Sequence, residues 1–267
     1  MRNFIAIAAT EDFCQMVKQI VFYIQPPGKI MGTDTTSEAL HRVVSPFTNL
    51  ESIIITTGDG TAILYYGQGG KVTSFDYLLP MIKKAAACQR LQSLKINPDC
   101  GLFWRRLPNE GHWPAYGRSV KLRYQEMGVA FISLRRLEIT GLRDKIYIAR
   151  HVAIFIQQLR KLEELEVSYK STAMLRNRSR MLHVDLPAQL QQKVSCPGLW
   201  RLKLAVPTTQ QSLTVFLEQF ADSLQSLDIE GVLFAHIEQG RVERPDEIFV
   251  AEISRRLSLC KSIKYEI

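Results

Sequence analysis

The stretch Gln157–Ser168, QQLRKLEELEVS, carries the tail of a helical pattern into a short strand. Leu162, Leu165 and Val167 follow the order apolar-x-x-apolar-x-apolar. The last two are two residues apart, the period of a strand, so both turn to one face while Glu164 and Glu166 turn to the other. Working outward, the template recurs upstream at Leu134/Leu137/Ile139, Leu91/Leu94/Ile96, Leu50/Ile53/Ile55 and Val17/Ile20/Phe22. Downstream it recurs at Leu199/Leu202/Leu204, Leu224/Leu227/Ile229 and, more weakly, Cys260/Ile263/Tyr265. Successive units start about 25–43 residues apart. One match means little in a chain that is 46% hydrophobic. A run of them along the whole chain signals a repeat array.

Segments of helical period precede most of these units: Ser37–Phe47, Thr73–Cys88, Ile148–Leu159, Gln211–Ala221 and Glu247–Leu257. In the third, Val152, Phe155, Ile156 and Leu159 share one face. A helix with a single apolar face cannot bury it alone and stacks against its neighbours. The expected fold is therefore α/β, a leucine-rich-repeat-like solenoid over residues 1–267 as a single domain. A curved parallel sheet lines its concave side and helices line its convex side. Two stretches depart from the repeat. Thr57–Thr61 (TGDGT) reads as a hairpin turn with a return strand. Residues 98–128 have no period and form an irregular insertion, whose Trp104 and Trp113 are expected to pack back on the scaffold.

Length and composition fit a folded chain with a sizeable core: charged residues make up 22%, well short of a disordered composition. The five cysteines are scattered with no C-x-x-C pair, which predicts reduced thiols in an intracellular protein, cytoplasmic or nuclear. The opening MRNFIAIAATEDFC has an apolar run of only Phe4–Ala9 before Glu11 and Asp12, too short for a secretory leader. No stretch approaches the ~18 apolar residues of a membrane span.

The units FTNLESIIIT, CQRLQSLKIN, LRKLEELEVS and FADSLQSLDIE resemble the leucine-rich repeat region of fungal F-box-type proteins. The resemblance extends over nearly the whole chain and rests on spacing and repeat style. It covers the repeat region only: no F-box is visible, and the stretch before Val17 is too short for one. The asparagine that usually closes each leucine-rich strand is also missing, with Gln25, Gly58, Asp99, Leu142, Lys170, Pro207 and Val232 in its place. The resemblance implies a receptor half that holds a protein partner or substrate, and ubiquitin-ligase components as further partners if an F-box stands upstream. A truncated gene product lacking its F-box is an alternative.

The residues between the buried pairs point to the candidate recognition surface. One column reads Val21, Ile54, Lys95, Glu138, Glu166, Lys203, Asp228, Lys264, and its neighbour reads Gln19, Ser52, Ser93, Arg136, Glu164, Arg201, Ser226, Ser262. Parallel strands lie ~4.8 Å apart. Arg136, Glu164 and Arg201 thus form one possible charge ladder, and Glu166, Lys203 and Asp228 another. The surface is either a self-compensating solvated face or a partner-binding face, with Arg136, Glu138, Glu164, Glu166, Arg201, Lys203 and Asp228 as its contacts. At the other end Val21, Tyr23 and Ile54 put apolar groups where later units put charges. Residues 1–14 folding back, a partner, or a lost preceding domain would each cover them.

Chemistry has no visible carrier. His41, His112, His151, His183 and His236 stand apart, and no metal-ligand spacing, phosphate loop or nucleophile elbow occurs. The reading is therefore a non-enzymatic protein-interaction scaffold without cofactor or metal. A net charge of +8 and the basic run KSTAMLRNRSR, with Lys170, Arg176, Arg178 and Arg180, keep nucleic-acid binding as the alternative. No aromatic residue interleaves with these arginines, which favours a plain solvated loop.

Overall fold

Two-residue alternation bounded by short helical stretches makes parallel strands the economical way to bury each apolar pair. The computed structural model describes residues 15–24, 47, 49–57, 90–96, 131–142, 148–169, 185–191, 196–236 and 241–265. The chain divides into two units, Met1–Leu134 and Arg135–Ile267. The helical pattern at 73–88, that at 37–46, the turn after Thr57, the 98–128 insertion and the basic run at 170–180 lie outside the described residues.

In the first unit β1 (Gln19–Ile24), β2 (Ser52–Thr57) and β3 (Ser93–Ile96) lie parallel in chain order. Register sets Ile20 against Ile53 and Ile53 against Leu94, and all three are buried with Ile55 and Ile96. The strands are locked together where they begin. The amides of Glu51 and Ser52 both donate to the Lys18 carbonyl, at 2.8 and 3.0 Å, and those of Gln92 and Ser93 repeat the arrangement on Glu51 at 2.9 and 3.0 Å.

The second unit holds β4 (Arg136–Leu142), β5 (Glu164–Tyr169), β6 (Arg201–Ala205), β7 (Pro207–Thr208), β8 (Ser226–Asp228), β9 (Leu233–His236), β10 (Arg241–Glu243) and β11 (Ser262–Lys264). A parallel sheet runs in the order β4-β5-β6-β8-β11. A small second sheet runs β10-β9-β7, with β9 parallel to β7 and antiparallel to β10. Nothing in the sequence pattern announces this second sheet, because strands of two to four residues are too short to show a period.

Four helices fall among the described residues: α1 (Ile148–Ile156), α2 (Leu186–Leu190), α3 (Gln210–Glu218) and α4 (Glu247–Arg256). α1, α3 and α4 fall on the expected helical segments. α1 ends at Ile156 rather than Leu159, its tail winding on more tightly as Gln158 N donates to Phe155 O and Leu159 N to Ile156 O, both at 3.0 Å. α4 is set by its ends. Asp246 accepts from Phe249 N at 2.7 Å, Glu247 occupies the first turn, and Arg255 and Arg256 occupy the last, each matched to the helix dipole. The inward faces bury Val152, Phe155 and Ile156 on α1, Leu213, Phe216 and Leu217 on α3, and Phe249 and Ile253 on α4. With Leu137, Leu165, Leu202 and Leu227 of the strands these form the core of the unit. The mixed α/β class with parallel strands thus follows from the two periods in the sequence.

Two glycines answer backbone demands. Gly141, at φ 67°, takes the left-handed conformation where the β4–β5 register shifts between Ile139 and Leu142. Gly231 lies against the end of β6, where an added Cβ would meet the Ala205 Cβ and stand 2.9 Å from its Cα. Gly231→Ala is expected to cost about 2 kcal/mol in a thermal melt. Adding Ala205→Gly should restore part of the loss, since it removes the nearer of the two clashing carbons.

Candidate functional site

Each parallel strand turns alternate residues away from the core, and register assembles them into columns. In the second unit one column runs Arg136, Glu164, Arg201, Ser226, Ser262, and the next Glu138, Glu166, Lys203, Asp228, Lys264. The structure therefore brings Arg136, Glu138, Glu164, Glu166, Arg201, Lys203 and Asp228 together on four neighbouring strands. Arg201 reaches Glu164 at 3.5 Å and Lys203 reaches Glu166 at 3.2 Å. The Glu166 carboxylate bonded to it holds the Lys203 ammonium above the usual lysine range, and the nearby charges of Asp228 and Glu230 act in the same sense. At the strand starts Arg135 pairs with Glu163 at 2.5 Å.

These pairs keep 28–55% of their side-chain surface in solvent, so each contributes only about 0–1 kcal/mol to stability. Their weight lies in the surface they compose. Arg136, Arg201, Lys203 and Lys264 balance Glu138, Glu164, Glu166 and Asp228, so the two columns together carry no net charge. The alternation breaks once, where Glu138 and Glu166 stand side by side in register.

In the first unit Val21, Ile54 and Lys95 share a column, with Val21 and Ile54 half-buried. Tyr23 pairs with Thr56 in register. Lys170, Arg176, Arg178 and Arg180 lie outside the described residues.

Sequence reasoning missed one well-connected polar group. Asp185, 4% exposed, accepts from Ala188 N at 3.0 Å and so caps α2. It also accepts from Thr208 Oγ1 at 2.7 Å and from Thr209 N at 3.3 Å. Thr209 in turn caps α3 by accepting from Ser212 N at 3.0 Å. One carboxylate thus joins the starts of two helices to β7. Burial pushes its pKa above the usual carboxylate range, against the opposing pull of these hydrogen bonds. The order Asp185-Leu-Pro187 was the available signal, a capping residue followed by proline in the first turn.

Among the described residues the buried titratable side chains are Asp185 and Cys196, and both are bonded into the fold. The Cys196 thiol donates to the Leu159 carbonyl at 3.0 Å, and burial pushes it up to about 12, so it stays a neutral thiol. Among the described residues no cluster of three or more His, Cys, Asp or Glu stands ready for a metal, and no helix is long and apolar enough to cross a membrane.

No protein-family model matches the chain, and no curated protein matches it significantly.

Proposed function

We propose that this chain is a non-enzymatic scaffold that holds a protein partner across the charged columns of β4, β5, β6 and β8. In this reading the repeats form a leucine-rich-type solenoid, similar in kind to the substrate-holding half of F-box receptors. The observation that carries it is the mixed charge of these columns on regularly spaced strands, three cations against four anions, with Lys264 of the adjoining β11 as the fourth cation. A phosphate backbone needs a surplus of positive charge along its path. A balanced mosaic suits the alternating charges of a protein surface, where complementarity sets partner choice and register more than raw affinity. Nucleic acid is accordingly the weaker reading for this face, although the overall charge of +8 keeps it testable elsewhere on the chain.

The test is the double substitution Arg201→Glu, Lys203→Glu, which places like charges beside Glu164, Glu166 and Asp228. Partner capture by the tagged full chain should disappear, with stability lowered by no more than about 1–2 kcal/mol. A variant reversed on α4, Arg255→Glu, should capture the partner as the native chain does. Undiminished capture by the double variant would sink the assignment.

A further inference from the structure

β11 stands at the end of its sheet, with β8 as its strand neighbour among the described residues. Ser262 N donates to Gln225 O and Lys264 O accepts from Ile229 N, so these residues turn their backbone groups toward β8. Strand alternation therefore turns the N–H and C=O of Ile263 outward, to the edge that no described strand covers. The side chains tell the same story. Leu224, Leu227, Leu199 and Leu202, at the matching positions of β8 and β6, are at most 1% exposed. Cys260 and Ile263 remain only half-buried, and Leu259 beside them is 50% exposed. The edge offers backbone hydrogen bonds and an incompletely covered apolar seam at once.

Charge selects the occupant. Along the column the order is Glu166, Lys203, Asp228, Lys264, alternating in sign at each strand, and Lys261 and Lys264 are both exposed. The next strand in that order would set a carboxylate beside Lys264. We infer that the β11 edge takes up an extended acidic peptide as an additional parallel strand. Its apolar residue lies against Ile263, and the Asp or Glu that follows lies against Lys264. The N–H of that acidic residue donates to the Ile263 carbonyl. Such strand addition draws affinity from the main chain and specificity from alternate side chains. This inference stands apart from the reading of the charged columns, whose test uses Arg201 and Lys203.

The probe is a fluorescently labelled peptide DSLQSLDIEG, the sequence of residues 222–231, which presents an acidic strand of the required pattern. Anisotropy titration with the full chain should show saturable binding. Lys264→Glu should weaken it about tenfold, and a probe with lysine for its second aspartate should recover binding to that variant. N-methylation of that aspartate should abolish uptake, because it removes the donor to Ile263. Binding that ignores both Lys264→Glu and N-methylation would overturn the inference. So would no binding at all, or dimerisation of the chain through this edge without uptake of the probe.

Discussion

Phe216→Ala should lower the unfolding free energy by about 4 kcal/mol, midway in the range for truncating a fully buried ring. Phe216 is completely buried on the inner face of α3, and its ring meets Phe220 edge to face, with centroids 5.2 Å apart at 76°. Truncation removes apolar surface from the core, forfeits the ring pair, and leaves a cavity that the flanking Leu213 and Leu217 cannot close without moving α3. Urea unfolding followed by circular dichroism measures the loss. The neighbouring Val215→Ala is the control. Val215 is 38% exposed on the other side of the same helix, so its truncation should shift stability by less than about 0.5 kcal/mol. Similar losses from the two substitutions would mean that α3 does not turn Phe216 into the core.

Asp185→Ala comes next, at about 3 kcal/mol, because it strips partners from the buried donor at Thr208 and the half-buried donors at Ala188 and Thr209 together. Asp185→Asn should cost less, about 1–2 kcal/mol. Its Oδ1 still accepts from Ala188 and Thr208, while its amide group faces the Thr209 N–H, donor against donor. The pH dependence separates the carboxylate from a mere cap. The folded-state pKa of Asp185 is raised above the ordinary 3.8, so the folded chain binds the proton more tightly than the unfolded one. Its contribution is fully present below 3.8 and is lost as pH rises from there through the folded-state value. The stability advantage of the native chain over Asp185→Asn should therefore shrink across that window, measured as a difference of urea midpoints. An advantage that grows with pH instead would show the carboxylate to be stabilised as the anion.

Phe216 and Asp185 mark where sequence reading reached and where it stopped. Phe216 lies on a helical stripe with Leu213, Leu217 and Phe220, a local period that announces a buried face before any partner is known. The same is true of Leu162, Leu165 and Val167, and of the alternation that sets Glu164 and Glu166 on the opposite face. Between Asp185 and Thr208 runs the Leu199/Leu202/Leu204 unit, whose period says nothing of the two polar residues, and their hydrogen bond exists only because α2 and β7 meet in space. The charged columns fall between these cases. That Arg201, Lys203 and their counterparts point away from the core follows from strand period alone. That Lys203 stands between Glu166 and Asp228 is a matter of register.

Among the described residues, then, the sequence by itself determined which are strand and which helix in the long periodic segments, and which of their side chains are buried, because those choices depend on spacing within a few residues. Tertiary structure alone decided the β7–β9–β10 sheet, the Asp185 junction and the half-covered edge at β11. Each depends on backbone groups or side chains distant in sequence becoming neighbours, and no local period encodes that encounter.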